Sequence, residues 1–274
     1  VIKNVTILRV RNLDKNEVGD GKLTDIVWYK WVDAPLATFV TSKNLTINVK
    51  NYTISTDKGV KVKGFSARKN LRIEYLPINI YDLFPNLIAY KAINCSVKSL
   101  SIENFRNLLA LELLALDNNQ IEGIPPGVFS DLGSLEVLNL SFNKIKFIDR
   151  DTFVNLNDLA ELYLTKNLIK SMDFKLDSNL ELREFSIRNN SISYLPMNCF
   201  DQNTRMKRIW LDWNEIQDIP HLVFEPLKKL EFLNLRNNSC IHDIYRVGEF
   251  KDMKNVLANK CSILVTFFNG PAVK

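Results

Sequence analysis

The chain has 274 residues, 46% hydrophobic and 24% charged, which is enough apolar material to bury a sizeable core and excludes a disordered chain. No apolar run approaches the roughly 18 residues a membrane-spanning helix needs; the richest, Leu108 to Leu116, is broken by Glu112. The net charge of +5 comes from dispersed Lys and Arg, not from clusters, so composition gives no support to nucleic acid or an anionic membrane as partner.

From Val1 to Lys61 no fixed period is visible. Three segments rich in β-branched and aromatic residues, NVTILRV (4–10), TDIVWYKWV (24–32) and NLTINVKNYTI (44–54), are separated by polar stretches such as NLDKNEVGDGK. They predict short strands, with Trp28, Tyr29 and Trp31 crowding one of them. The first residue is Val1 and no leader is legible, so the numbering is expected to start after processing or trimming.

Further on, one pattern recurs. Leu87, Leu111, Leu135, Leu159, Leu182, Met206 and Leu230 open successive copies at intervals of 24, 24, 24, 23, 24 and 24 residues. Behind them stand a column of Tyr90, Leu114, Leu138, Leu162, Phe185, Ile209 and Leu233, and another of Ala92, Leu116, Leu140, Leu164, Ile187, Leu211 and Leu235. The next column is polar: Cys95, Asn119, Asn143, Asn167, Asn190, Asn214 and Asn238. A polar residue that keeps the period has the same structural task in every copy. Short parallel strands that stack and then turn sharply leave backbone groups unpaired, and a buried amide with both donors and acceptors satisfies them in a ladder. Cys95 fits that column as a small, buryable residue.

The second half of each copy adds Phe105, Phe129, Phe153, Phe200 and Phe224, preceded by Leu100, Ile124, Ile148, Leu195 and Ile219, which fill the core from the opposite side. Pro125, Pro196 and Pro220 favour extended or tight-turn backbone there over a full helix. The copy at Leu159 is one residue short and has Asp177 where the phenylalanine belongs, which predicts a local irregularity. Upstream, Val62, Phe65, Ala67 and Asn70, followed by Ile73, Leu76, Tyr81 and Phe84, make one degenerate copy once a one-residue insertion is allowed.

The pattern resembles the L-x-x-L-x-L-x-x-N/C-x-L signature of leucine-rich repeats. A 24-residue copy with this phenylalanine is similar to the typical extracellular subfamily, including short secreted arthropod proteins. The resemblance implies an α/β repeat fold: a right-handed solenoid, or horseshoe, with a parallel β-sheet on the concave face and irregular or 3-10 segments on the convex side. A β-rich N-terminal cap would cover the edge of the first strand. The implied division is a cap over 1–61, about eight repeats over 62–238 with the first degenerate, and a C-terminal cap over 239–274. Extracellular members commonly carry a cysteine cluster in the N-terminal cap; this chain has no cysteine before Cys95.

Family C-terminal caps resemble a helix and loop clamped by disulfides. Here Val247, Phe250, Met253 and Val256 or Leu257 have helical spacing, and Cys240 takes a column held elsewhere by Ile145 and Ile216. The resemblance implies a Cys240–Cys261 bridge in a reduced cap, and closing a loop of about 20 residues contributes about 3 kcal/mol by chain-entropy reasoning. Cys95 and Cys199 lie more than four copies apart, roughly 20 Å at strand spacings of about 4.8 Å, too far to join. Cys95 is expected to be a buried thiol and Cys199 the more reactive one.

Sequons stand at Asn4, Asn44, Asn51, Asn94, Asn139, Asn189 and Asn237. The last four arise partly from the repeat consensus, which leaves Asn4, Asn44 and Asn51 as candidate glycan acceptors. Sequons, bridge and repeat subtype together point to an extracellular, secreted protein.

Catalysis finds no constellation. The two histidines, His221 and His242, lack a motif pairing them with a nucleophile or metal, and no glycine-rich phosphate loop, CxxC or HExxH occurs. No enzyme activity, metal or cofactor is expected. Residues between the strand leucines project from the sheet into one extended surface. Its C-terminal half is the richer: Tyr163, Glu184, Arg188, Arg208, Trp210, Asp212, Trp213, Phe232 and Arg236 are the candidate partner contacts, because Trp and Arg most often dominate binding energy. The alternative is that these aromatics shield neighbouring strands, with Arg lying over Trp as a cation–π pair.

Two functions stay open. One is a non-enzymatic secreted recognition protein that binds a protein or glycan, in an immune or cell-surface role, with enzyme inhibition as a special case. The other is a receptor ectodomain module or a self-associating matrix component. Nucleic acid and membrane insertion are not expected of either.

Overall fold

The structure is a computed structural model that describes residues 6–8, 31–33, 45–46, 64–68, 75–78, 80–83 and 85–261. Each copy of the repeat contributes one short strand and then turns back through irregular chain. In order these strands are β4 (Gly64–Arg68), β6 (Ala89–Ile93), β7 (Leu113–Ala115), β8 (Val137–Asn139), β9 (Glu161–Tyr163), β10 (Glu184–Ser186), β11 (Arg208–Trp210) and β12 (Phe232–Asn234). Together with β13 (Ile244–Arg246) they form a nine-stranded sheet in sequence order.

Pairing is parallel from β4 to β12 and in register with the sequence columns, so that Phe65 faces Tyr90, Leu114 faces Leu138 and Ile209 faces Leu233. The degenerate copy is therefore one more turn of the same stack. Val62, Asn70, Ile73 and Phe84 lie outside the described residues. In that copy Leu76 is buried as expected, whereas Tyr81 is exposed and the neighbouring Ile80 is buried instead. Ile80 opens a short helix, α1 (Ile80–Leu83), whose first residue turns inward.

Four further strands pair outside this sheet. β1 (Thr6–Leu8) pairs antiparallel with β2 (Trp31–Asp33), and β3 (Leu45–Thr46) pairs parallel with β5 (Pro77–Ile78). Each of β1, β2 and β3 falls in or at the end of a predicted β-rich segment; Trp28 and Tyr29 lie outside the described residues.

The asparagine column forms the expected ladder. Asn143 Nδ2 donates to the carbonyls of Leu116 and Leu140 at 2.9 and 3.0 Å, and its Oδ1 accepts from the Ile121 N–H at 3.1 Å. Asn167, Asn190, Asn214 and Asn238 repeat this geometry one turn further along each time. At the start, Asn119 serves the N–H groups of both Cys95 and Val97, and Cys95 itself is fully buried.

Phe105, Phe129, Phe153, Phe200 and Phe224 are all buried behind the sheet. The missing phenylalanine at Asp177 is replaced from three residues earlier: the Phe174 ring packs edge-on against Phe153 at 5.4 Å. A second ladder is unforeseen by the sequence reading. Asn179 and Asn203, fully buried, stand where other copies have Leu132 or Leu156. Asn179 Nδ2 donates to the carbonyls of Phe153 and Leu156, and Asn203 Nδ2 to those of Leu176 and Asn179.

At the C-terminal end β13 runs antiparallel to β12 and so closes that edge of the sheet, with Tyr245 opposite Leu233. A helix, α2 (Met253–Lys260), follows and buries Met253 and Leu257, with Phe250 and Val256 packed at the margin. Val247 is a correction to the helical spacing. It lies before the helix, in the turn after β13, and is 73% exposed. Cys240 and Cys261 are joined by a disulfide with Cα atoms 5.1 Å apart.

Candidate functional site on the sheet face

In each three-residue strand from β7 to β12 the middle residue is buried in the core and its two neighbours lie on the opposite face, so two such columns run across this part of the sheet. The N-terminal part of that face is apolar and closed: Ala89, Leu113 and Ala115 are buried, with Ile88, Ile93 and Val137 packed on them. The Tyr163-centred network of charged groups begins at β9. There the Tyr163 hydroxyl lies 2.9 Å from Glu161 Oε2 and 2.9 Å from Glu184 Oε2, and Arg208 Nη1 reaches Glu184 Oε1 at 2.7 Å.

One phenol proton cannot be donated to two carboxylates at once. The second contact is favourable when one acid is protonated and donates to the phenol oxygen. Burial, then the neighbouring Glu184 charge, pushes the Glu161 carboxyl above the usual carboxylate range, against the pull of Tyr163 and Arg208. The Tyr163 hydroxyl is raised by burial and by both acids, so it stays protonated at neutral pH.

One turn on, Arg188 pairs with Asp212 across 3.1 Å, and the Asp212 side chain is 3% exposed. Beside this pair the rings of Trp210 and Phe232 sit 5.5 Å apart, tilted at 47° and half-buried. Arg236 is exposed at the end of the same surface.

The predicted residues thus fall into three groups. Tyr163, Glu184 and Arg208 form one network, Arg188 and Asp212 a second, and Trp210 with Phe232 an aromatic pair. Asp212 departs from the expectation of an outward contact, because it is buried and held by Arg188. Trp213 also departs: it lies beyond the strand, on the turn before Asn214, exposed and with φ of +56°. No arginine lies over Trp210 or Trp213 among the described contacts; the cation–π pair is Lys166 over Phe142, 5.0 Å from the ring centroid. Glu161 is the functional candidate missing from the sequence-derived set, although it shares a column with Glu184, Arg208 and Phe232.

Cys199 is only half-buried, unlike Cys95, and packs against the edge of the core; burial raises its pKa above the ordinary thiol value, which lowers its thiolate fraction. Cys95, also unpaired, is pushed up to about 11 by burial. Asn4, Asn44 and Asn51 lie outside the described residues. Among the described residues no three His, Cys, Asp or Glu side chains converge as metal ligands, and no helix is long and apolar enough to cross a membrane.

With this repeat geometry in place, comparison with known proteins agrees on the class. Residues 94–145, 109–169 and 180–241 match the family described as leucine rich repeat, and the chain belongs to that family. Over 144 residues it is 34% identical to the leucine-rich repeat transmembrane protein FLRT2 of Rattus norvegicus, a match covering 52% of this chain and 22% of that protein. The chain therefore spans about a fifth of the length of that relative. Among solved structures it resembles the TLR13–ssRNA13 complex, with TM-score 0.60 and 22% identity over 70% of this chain and 27% of that one. A leucine-rich repeat protein of Leptospira interrogans matches with TM-score 0.54 and 27% identity over 60% of this chain and 40% of that one.

Proposed function

We propose that the protein is a non-enzymatic, extracellular recognition module that binds a protein partner on the β9–β12 part of the sheet face. The observation carrying this reading is the half-buried Trp210–Phe232 pair, set between a Tyr163–Glu184–Arg208 network and an Arg188–Asp212 ion pair. Apolar area framed by fixed charges is the composition of an interface centre. Within this proposal residues 1–61 and 239–274 serve as caps on the repeats of 62–238, the latter a reduced form of the extracellular cysteine cap.

Secretion with an immune role is the leading form of the reading. The receptor-ectodomain form gains weight from FLRT2, whose name makes it a transmembrane protein. A glycan in place of a protein, and self-association, are further outcomes of the same test.

The test is affinity capture from extracellular fluid with the wild-type chain as bait, compared with Trp210→Ala and with Lys144→Ala/Lys170→Ala as a control of exposed cations elsewhere. A partner retained by wild type and control but lost by Trp210→Ala supports the reading, provided circular dichroism shows the variant folded. Equal capture by all three baits sinks it.

A further inference from the structure

The edge where β10, β11 and β12 begin carries a second kind of surface. Arg183, Arg205, Lys207 and Lys229, and no other residues, line a recess of about 260 Å³ there. All four are exposed. They occupy the two columns flanking the repeat-opening residue: Glu181, Arg205 and Lys229 precede it, and Arg183, Lys207 and Glu231 follow it. In the three turns upstream the same columns hold Ala110 and Glu112, Ser134 and Glu136, then Asp158 and Ala160. Cations are therefore confined to three consecutive turns.

Their charge is only partly balanced. Glu181 is shared by Arg183, at 3.7 Å, and Arg205, and Glu231 pairs with Lys207 at 3.3 Å. Four cations face two carboxylates, and Lys229 forms no ion pair among the described residues. Strands in parallel register lie about 4.8 Å apart, so like charges in neighbouring turns repel one another at close range. Packing does not demand this, since none of the four side chains is buried.

We propose that this recess binds the sulfate esters of an acidic polysaccharide. Guanidinium forks match the oxygens of a sulfate bidentately, and lysines beside them add point charge. Cations repeating from turn to turn suit a polymer whose anionic groups also repeat, better than a single free anion. Nucleic acid fits less well, because no aromatic ring lines the recess for bases to stack on. The site is distinct from the Trp210–Phe232 surface, so either assignment fails without the other.

Fluorescence anisotropy on the full chain tests this with a labelled heparin-derived octasaccharide, its fully desulfated counterpart, and single-stranded RNA of matched charge. The sulfated sugar should bind, with affinity falling as salt rises from about 0.05 to about 0.2 M, and the desulfated one at least about tenfold more weakly. Lys207→Gln/Lys229→Gln should lose about tenfold, whereas Lys144→Gln/Lys170→Gln, which removes the same charge elsewhere, should change binding less than about twofold. Glu181→Gln/Glu231→Gln removes the competing carboxylates and should tighten binding. The proposal is overturned by no binding, by RNA binding as tightly as the sulfated sugar, by indifference to desulfation, or by equal losses in the two lysine double variants. Inorganic sulfate competing at equal sulfate concentration would likewise overturn the polymer assignment.

Discussion

Arg188 of one turn reaches Asp212 of the next, 3.1 Å between nitrogen and oxygen, with the arginine 44% exposed and the acid nearly closed off. The other carboxylate oxygen, Oδ1, has no hydrogen-bond partner, and burial raises the Asp212 pKa despite the guanidinium. A buried charge with one partner is costly to orphan, although solvent around Arg188 moderates the loss. Arg188→Ala should therefore destabilise by about 1–3 kcal/mol. Asp212→Asn alone should be close to neutral, and adding it to Arg188→Ala should recover most of the loss. Urea denaturation of the four proteins measures this; no recovery in the double variant would show that Arg188 acts through something other than this pair.

The asparagine ladder makes a stronger demand on stability. Asn143→Ala and Asn167→Ala each strand one N–H and at least two carbonyl contacts in the interior, and each should cost about 1–3 kcal/mol. Lys144→Ala, on the exposed flank of the same turn, should stay within about 0.5 kcal/mol of wild type. Matching midpoints for all three would mean that the amides are replaceable by water.

Why this ladder was legible in sequence and the second was not follows from repetition. Asn143 stands in a column filled six times by asparagine, so its task is visible in the spacing alone. Asn179 and Asn203 break a leucine column in two adjacent turns, beside the shortened copy, and only the fold reveals that each amide donates to the backbone of the turn before it, Asn179 to Leu156 and Asn203 to Asn179. The same limit applies to the candidate site. Outward columns follow from the strand period, but Asp212 being buried and Trp213 leaving the face depend on the left-handed turn that ends each strand. Tyr81 and Val247 failed because a spacing argument has no register outside the regular repeats.

The structure also reopens the sequons set aside as repeat consensus. Asn94, Asn189 and Asn237 occupy one position in three turns, each exposed and with φ between +53° and +55°. Asn139 is half-buried on the sheet face, where its Oδ1 accepts from the Ser141 N–H at 3.0 Å. Protein made through a secretory route should carry glycans at the first three and none at Asn139. Enzymatic release in heavy-oxygen water followed by peptide mass spectrometry reads each site directly, and an occupied Asn139 would contradict the closed geometry of its face.

Glu161 gives the site a pH signature. Its carboxyl pKa is raised in the folded chain, chiefly by burial. The folded state then binds the proton more readily than the unfolded one, so the associated stability is present below the unfolded value and is lost as pH rises through the folded value. At neutral pH the ionised acid is therefore a liability. Glu161→Gln, which keeps a donor for the Tyr163 oxygen, should raise stability at pH 7 by up to about 1 kcal/mol. That advantage should shrink as pH falls toward the ordinary carboxylate range. Thermal melts at stepped pH check the trend, and a constant difference would remove Glu161 from the proton-sharing arrangement.

Trp213 presents the sharpest conflict between stability and exposure. Its turn position is held by Asn94, Asn118, Asn189 and Asn237 in four other copies, all with positive φ. Asparagine tolerates the left-handed region, whereas a side chain such as tryptophan brings its Cβ against the following carbonyl at about 1–2 kcal/mol. Nothing in the core offsets this, because the indole is 55% exposed. Trp213→Asn should raise stability by about 0.5–1 kcal/mol and, if the ring is a partner contact, weaken capture at least about tenfold. Both are readable from one preparation, by thermal melt and by binding to the partner that wild type retains. A lower melting temperature would assign the ring a packing role that its exposure hides. Higher stability with unchanged capture would remove Trp213 from the interface and leave the Trp210–Phe232 pair as its aromatic centre.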